Sequence, residues 1–247
     1  MRYFIELSYD GSPFVGWQRQ PKGDSVQSCL EDALKTLLQK PISVVGAGRT
    51  DAGVHARQLF AHVDLDDQVD QNLKFRLNKL LPKEIAVNSI LAVTDDAHAR
   101  FDATGRRYSY HITTQKDPFL KKRSYNFSKT LDIELMNQAA TVMLDHDDFK
   151  CFSKSRTDVK TYLCDIQEAY WEQNGSDLVF FIQANRFLRN MVRAIVGTLI
   201  EVGLKKISID DFKSILQSRD RSKAGYSVPA HGLYLEKVYY PKHIFAV

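Results

Sequence analysis

The sequence predicts an α+β protein built from two tandem βαββαβ units, each an antiparallel sheet with helices on one face. In some segments apolar and polar residues alternate, which is the period of a strand. In others apolar residues recur every three or four positions, which is the period of a helix. Strands and helices follow the same order in both halves of the 247-residue chain, although the sequence does not repeat. We therefore expect two ferredoxin-like or RRM-like domains whose sheets form a central cleft for a ligand.

The first half opens with a strand, because residues 3–9 alternate. An uninterrupted apolar stripe then predicts a helix that begins at Asp24 or Ser25, with Gln27 completing a capping box from Asp24. The other predicted elements of this half are strands at 42–47, 58–64 and 85–93 and a helix at 69–81, before Pro82.

The second half begins after a boundary near Asp102 to Gly105, which gives predicted domains of residues 1–104 and 105–247. Its predicted elements are strands at 106–112, about 161–171, 177–185 and 233–239, helices at 132–144 and about 187–203, and a short helix capped by Ser208.

The long helix near residues 187–203 carries arginines on one face. On a helical projection that face contains Arg186, Arg189, Arg193 and Gly197. Apolar neighbours flank its later turns, so Arg193 is predicted to be partly buried, where a guanidinium needs a carboxylate or phosphate partner. The alternative is a surface arginine stripe.

Composition limits the class of protein. A net charge of +4 suits an anionic partner without requiring one. The cysteines Cys29, Cys151 and Cys164 are far apart and have no zinc-site spacing, which predicts reduced thiols in a cytosolic protein. The N-terminal residues alternate and carry charge, unlike a signal peptide, and no stretch approaches the roughly eighteen apolar residues of a membrane span. We expect a soluble cytoplasmic protein.

The most distinctive segment is the run at 45–56, which contains Gly46, Gly48 and Gly53. Glycine permits backbone angles and close approaches that a Cβ would block. Arg49 and Asp51 are two residues apart, so an extended backbone would point them to the same side. A carboxylate near a guanidinium is a candidate nucleophile or base. The alternative is an ordinary turn in which Asp51 accepts backbone hydrogen bonds and Arg49 merely pairs with it.

Basic and aromatic residues are interleaved at 100–110 and 116–125, a pattern that favours an RNA or DNA partner over a purely solvated surface. His55 and His62 lie in a loop and a strand, and nothing nearby in the sequence completes a metal site. Each is therefore predicted to be a hydrogen-bonded structural histidine.

Five segments, in order along nearly the whole chain, resemble the tRNA pseudouridine synthase A family. They are residues 8–11 with 14, 16–18 and 20; residues 48–56; residues 99–101 with 107, 108 and 110; residues 185–197 at 185, 187–188, 191–193 and 195–197; and residues 232–240 at 232, 233, 235, 238 and 240. The resemblance implies isomerisation of uridine to pseudouridine in the anticodon stem-loop of tRNA, at tRNA positions 38 to 40. It also implies a homodimer that binds tRNA across both subunits, with no cofactor and no catalytic metal.

The resemblance also assigns roles to individual residues. Asp51 matches the catalytic aspartate, Tyr108 the active-site tyrosine, and Arg193 the arginine paired with that aspartate. Arg49 matches an arginine that helps to draw the target base out of the stack, and Leu233 an apolar residue that packs near the base. The remaining residues that we predict to bind substrate are Gln18, Arg107 and Tyr110.

Two other functions are compatible with parts of the sequence. A non-catalytic RNA-binding protein on the same scaffold would explain the basic and aromatic residues but not Asp51, because a carboxylate repels phosphate. A hydrolase with Asp51 as nucleophile, assisted by His55, would lack a second acid–base pair at a suggestive spacing. Within the synthase hypothesis, Asp51 could attack uracil C6, attack ribose C1′ or act as a base.

Overall fold

A computed structural model describes residues 1–66, 69–70, 72–154 and 159–245, and it shows a mixed α+β protein. In the described residues the strands are β1 (Arg2–Tyr9), β2 (Val45–Gly46), β3 (His55–Asp64), β4 (Ile85–Val93), β5 (Gly105–Thr113), β6 (Tyr125–Asn126), β7 (Ile166–Asn174), β8 (Asp177–Ala184) and β9 (Leu233–Tyr239). The α-helices are α1 (Val26–Leu38), α2 (Leu73–Leu80), α3 (Ile133–Thr141), α4 (Met191–Gly203) and α5 (Ile209–Ser218). None of the helices in these described ranges has the length and apolar character needed to cross a membrane.

The chain forms two compact units, one of residues 1–104 with 234–247 and one of residues 105–233. The C-terminal residues thus belong to the first unit, whereas the sequence prediction placed them in the second domain. The reason is strand pairing and aromatic packing that the chain order does not reveal. The start of β9 pairs in parallel with β3, and the Tyr240 ring packs against Phe4 and Phe60.

The sheet of the first unit is centred on β1, which lies antiparallel between β3 and β4. The short strand β2 pairs antiparallel with β3, and β9 pairs with β3 in parallel. Leu7 and Leu59 of the sheet and Leu30 and Leu34 of α1 are fully buried. The alternation of β1 and the apolar stripe of α1 are therefore the two faces of one hydrophobic core.

Four elements of the first unit differ in detail from the prediction. The N-cap of α1 is Ser25, whose capping box is completed by Ser28 and not by Gln27. The helix predicted at 69–81 is α2, which is shorter at both ends, and position 71 lies outside the described residues. The strand predicted at 42–47 shortens to β2, whereas β3 begins three residues before its predicted start.

The sheet of the second unit has β8 between β5 and β7, all antiparallel, with β6 pairing in parallel with β5. Helix α4 is buried along its length except at Arg193 and Glu201, which makes it the central helix of this unit. It begins at Met191 because Asn190 adopts a left-handed conformation, with φ of 68°. The prediction that Arg186 and Arg189 share its face was therefore wrong, since both precede the helix.

The predicted N-cap of the short helix is confirmed. Ser208 accepts a hydrogen bond from the Asp211 backbone N–H, and Asp211 completes the capping box of α5. The strand predicted at about 161–171 begins later, at Ile166, and the helix predicted at 132–144 ends as a 3-10 turn at 142–145. The strand predicted at 177–185 is β8, and the predicted final strand coincides with β9.

Candidate functional site

In the first unit, the glycine-rich run forms a loop between β2 and β3. A Cβ at Gly46 would lie 2.5 Å from the indole of Trp17, so this strand end packs directly on that ring. Gly53 has φ of 79°, a left-handed conformation that favours glycine. Gly48 has neither constraint, because an added Cβ would meet nothing within 4 Å. The predicted need for glycine therefore holds at two of the three positions.

The loop is fixed by the segment that follows β1. The Trp17 backbone N–H donates to the Thr50 carbonyl at 3.2 Å, and the hydroxyls of Tyr9 and Thr50 are 2.8 Å apart. Gly16 and Asp51 form an isolated antiparallel bridge. With φ of 110° and the Thr50 carbonyl 2.5 Å from an added Cβ, Gly16 is a position that a side chain would disrupt.

Asp51 occupies a turn whose main chain is held on both sides. Its carbonyl accepts a hydrogen bond from the Val54 backbone N–H at 3.1 Å, while Gly16 bridges it from the other side. The side chain is half-buried. The turn considered as an alternative is therefore present, and it positions the carboxylate.

Arg49 lies on the exposed edge of the same loop. Its Nε donates to Gln18 Oε1 at 3.2 Å. Within the residues that the structure describes, Arg49 and Asp51 form no ion pair. The simple pairing of these two side chains, which the sequence left open, is therefore excluded, whereas Gln18 and Arg49 are in direct contact.

His55 and His62 of this unit bind backbone groups, as predicted. His55 is 2% exposed, its Nδ1 accepts from the Gly11 backbone N–H at 3.1 Å, and its ring stacks on Tyr234 with centroids 4.5 Å apart. His62 Nδ1 accepts from the Ala99 backbone N–H at 3.1 Å. Burial and, less strongly, the charge of nearby Arg2 lower the pKa of His62 to about 4.

In the second unit, Arg193 is held by the main chain. Its Nε donates to the Val228 carbonyl at 2.7 Å, and the Val228 backbone N–H donates to the Arg193 carbonyl at 3.2 Å. The side chain is half-buried, as the sequence predicted. The first bond restrains the guanidinium, and the second holds the main chain of Val228 next to α4.

The segment at 224–229 that anchors Arg193 is itself tied closely to α4. A Cβ at Gly197 would lie 1.8 Å from the Tyr226 carbonyl, so the helix and this segment touch main chain to main chain. The Gly225 backbone N–H donates to Thr198 Oγ1 at 2.9 Å. Gly197 is therefore in close contact with the neighbouring loop.

Polar side chains that the sequence did not single out complete this anchor. Asn190 Nδ2 donates to Ser227 Oγ at 2.6 Å, and Arg221 Nη2 donates to the same oxygen at 3.0 Å. Arg221 Nη1 also donates to the Gly225 carbonyl at 3.0 Å. The sequence prediction ran the helix through Asn190, and Arg221 and Ser227 are distant from Asn190 in sequence.

The two tyrosines of β5 differ in exposure. Tyr108 is half-exposed, and its ring meets Phe187 edge to face with centroids 5.0 Å apart. Tyr110 is fully buried, its hydroxyl donates to the Pro229 carbonyl at 2.8 Å, and burial raises its pKa well above the usual range. The prediction that Tyr110 contacts substrate is therefore not supported. Tyr110 supports the chain before Leu233, which is 7% exposed.

Arg107 lies on the opposite face of β5 from Tyr108, since neighbouring strand residues alternate. Its Nη2 donates to the Tyr170 hydroxyl at 2.7 Å and is 3.6 Å from Glu168 Oε2, and its guanidinium lies 5.0 Å from the centre of the Phe181 ring. The second-unit sheet thus engages Arg107 on the face away from Tyr108. This placement argues against its predicted membership of the same substrate site.

Other possible sites are few in the described part of the chain. No group of three or more His, Cys, Asp or Glu side chains there is arranged to hold a metal ion. Cys151 and Cys164 are buried free thiols, and burial raises their pKa values to about 12 and about 11. An open cavity of about 430 Å³ in the second unit has Asp145, Asp147 and Asp165 in its lining but none of the predicted site residues. Its acidic lining suits a phosphate backbone poorly.

Comparison with known proteins finds the same family that the sequence resembles, and the matches cover almost the full chain. A family model described as tRNA pseudouridine synthase matches residues 7–102 and 139–241, which include Asp51 and Arg193 but not Tyr108. A protein of Parabacteroides distasonis named tRNA pseudouridine synthase A is 53% identical over 100% of this chain and 98% of its own length. Proteins of the same name from Bacteroides fragilis and Bacillus subtilis are 52% and 41% identical, over 99% and 97% of this chain and 98% and 99% of their own lengths.

Proposed function

The chain belongs to the tRNA pseudouridine synthase family and is an isomerase that converts uridine to pseudouridine, and we propose that Asp51 is its catalytic carboxylate. We further propose that its targets are uridines at tRNA positions 38 to 40, in the anticodon stem-loop. The observation that carries the assignment of Asp51 is its place on a turn that Gly16 and Val54 hold from both sides. Such a turn presents a carboxylate in a fixed position.

The reaction breaks the bond between uracil N1 and ribose C1′, turns the base, and forms a bond from C5 to C1′. The proton on C5 is lost and N1 gains one, so no outside atom is retained and nothing is oxidised. Three roles of Asp51 satisfy this balance, namely addition to uracil C6, addition to ribose C1′, or removal of a ribose proton on a route through a glycal. In each of them the carboxylate must be ionised and oriented.

Arg193 supplies that orientation in the proposed site. A guanidinium paired with Asp51 favours the charged carboxylate and restricts its rotation. The main-chain anchor at Val228 supports this role, because it presets the cation before substrate arrives. Tyr108, steadied by Phe187, stacks on the displaced base, and its phenol relays the proton that leaves C5.

Extrusion of the target base is assisted by residues of both units. Unstacking costs a few kcal/mol, and stacking in a pocket returns about 1–3 kcal/mol. In this proposal Arg49 enters the space that the base leaves, and Leu233 packs against the base. Gln18 holds Arg49 beforehand, whereas Tyr110 acts from the core by supporting the chain next to Leu233.

We also propose that each unit is a ferredoxin-like domain. The order β4-β1-β3-β2 in the first unit and the order β5-β8-β7 in the second support this assignment. We further propose a cytoplasmic homodimer that binds the anticodon stem-loop and needs no cofactor, and the family relationship supports tRNA as its substrate.

Mapping of pseudouridines tests both the targets and Asp51. In cells that lack this chain, pseudouridine at tRNA positions 38 to 40 should disappear, and expression of the wild-type chain should restore it. The Asp51→Asn variant should accumulate to the same level as the wild-type chain but should not restore pseudouridine at these positions. Asp24→Asn, a matched change at an exposed carboxylate of the same unit, should restore it. Restoration by Asp51→Asn would overturn the catalytic assignment, and loss at other tRNA positions would overturn the target assignment.

A further inference from the structure

We infer that Gln27 and Glu31 of α1 are positioning residues that set the orientation of Arg49 through Gln18. The inference rests on the proposed function, in which Arg49 enters the space left by the target base. It concerns two side chains on the far side of Gln18 from the catalytic loop, neither of which touches Arg49 itself.

A continuous line of hydrogen bonds connects these residues. Arg49 Nε donates to Gln18 Oε1 at 3.2 Å, and Gln18 Nε2 donates to Gln27 Oε1 at 2.9 Å. Gln27 Nε2 in turn donates to Glu31 Oε1 at 3.0 Å. Each amide uses its oxygen on one side and its nitrogen on the other, so reversing either amide would break the line.

The inner end of this line is fixed by the main chain and by a charge. Gln27 Nε2 also donates to the Val44 carbonyl at 3.0 Å, and the Val44 backbone N–H donates to Glu31 Oε1 at 3.1 Å. Arg19 Nε donates to Glu31 Oε2 at 2.9 Å, which compensates the buried carboxylate. The polar group that Arg49 contacts is therefore part of a rigid frame.

Burial indicates that this frame serves more than stability. Gln27 and Glu31 are 8% and 9% exposed, on a helix whose neighbouring Val26 and Leu30 are fully buried. Apolar side chains would avoid the cost of removing an amide and a carboxylate from water, but they would leave the Val44 N–H and carbonyl without these partners. The two residues therefore hold the main chain at Val44 as well as Gln18. The line of bonds that justifies the polar residues leads outward to Arg49, which is exposed.

The arrangement predicts a specific kinetic effect. Arg49 is tied by one bond to a neutral amide, which holds a resting orientation and still lets the guanidinium leave when RNA arrives. Loss of the frame should slow the step in which Arg49 replaces the base, and tRNA binding should remain as tight as before. Gln27→Met keeps the length of the side chain and removes its polar atoms, so the single-turnover rate should fall about 5- to 10-fold.

A double-mutant cycle with Arg49→Ala tests the inference. Gln27→Met should slow the wild-type enzyme but have no further effect when Arg49 is already alanine. Gln18→Met, at a half-exposed position that carries less folding risk, should show the same dependence on Arg49. Gln39→Met, the same change at the exposed end of α1, should leave the rate unchanged in both backgrounds.

The possible results separate the inference from its premise. If Gln27→Met and Gln18→Met slow the reaction equally with and without Arg49, these residues are structural and the inference is wrong. If Arg49→Ala alone retains the wild-type rate, the proposed role of Arg49 is wrong and the inference fails with it, while the assignment of Asp51 is untouched. Weakened tRNA affinity with an unchanged rate constant would also overturn the inference.

Discussion

Arg49 in the first unit and Arg193 in the second are assigned to the same reaction, yet they are held in different ways. Arg193 Nε donates to a main-chain carbonyl, Val228 O, at 2.7 Å, and the carbonyl of Arg193 accepts a bond from the same residue. Arg49 Nε donates to a side-chain amide, Gln18 Oε1, at 3.2 Å and is exposed.

The difference indicates what each arginine can do. Arg193 is half-buried, and its Nε bond goes to a carbonyl that main-chain bonds hold next to α4, so it suits a charge that must be in place throughout the reaction. Arg49 can leave its amide partner by a rotation of its own side chain, so it suits a role that begins with movement. In the proposed mechanism, one reaction therefore uses a permanent cation, Arg193, and a releasable one, Arg49.

Among the changes that test this contrast between the two arginines, Arg193→Leu should have the largest effect on activity. Removing a preset cation should lower activity about 100- to 1000-fold, whereas loss of the bond to Val228 should cost only about 1 kcal/mol of unfolding free energy. Single-turnover kinetics and a thermal melt measure the two quantities. Arg76→Leu, at an exposed arginine of α2, is the control. A loss of stability that accounts for the whole loss of activity would make Arg193 structural.

Gly197→Ala should disturb the anchor of Arg193 without touching the arginine. The added Cβ would meet the Tyr226 carbonyl at 1.8 Å, so the segment must shift, and overpacking of this kind costs about 1–3 kcal/mol of unfolding free energy. Gly48→Ala, where a Cβ meets nothing within 4 Å, should change stability by less than about 0.5 kcal/mol. Equal melting temperatures for the two variants would contradict the tight contact between α4 and the segment.

Sequence patterns predicted correctly those element boundaries that neighbouring residues determine. Strand β9 has its predicted bounds, and β4 likewise, because alternation continues up to a turn. Ser208 begins α5 because a serine followed three residues later by a carboxylate forms a capping box. The late start of the long helix was not predictable from periodicity, because it depends on the backbone conformation of Asn190.

Long-range pairing accounts for what the sequence did not predict. The assignment of β9 to the first unit depends on its parallel register with β3, which lies almost 180 residues earlier. Gln27 was interpreted as part of a cap, whereas its amide bonds to Gln18 and Val44. Tyr110 was grouped with Tyr108 because both lie in one matching segment, but only Tyr108 is accessible.

The two units should also differ in their response to acid, because His62 of the first unit has a lowered pKa. His62 in the first unit has a pKa of about 4, below its usual value near 6.5, so the unfolded chain binds a proton that the folded unit does not. Its contribution to stability is complete above pH 6.5 and is lost as the pH falls towards 4. Urea melts of the wild-type protein and of His62→Gln between pH 6.5 and pH 4 measure this contribution to stability. An identical pH dependence in both proteins would contradict it.

Release of tritium from tRNA labelled at uridine C5 tests the role of Asp51 most directly, because the proton on that carbon leaves only when the new glycosidic bond forms. Asp51→Asn should lower release by at least about 10⁴-fold, since a residue that acts chemically cannot be replaced by a neutral isostere. Binding of tRNA to this variant should stay close to that of the wild type. Release by Asp51→Asn at more than about 1% of the wild-type rate would contradict the assignment of Asp51 as the catalytic carboxylate.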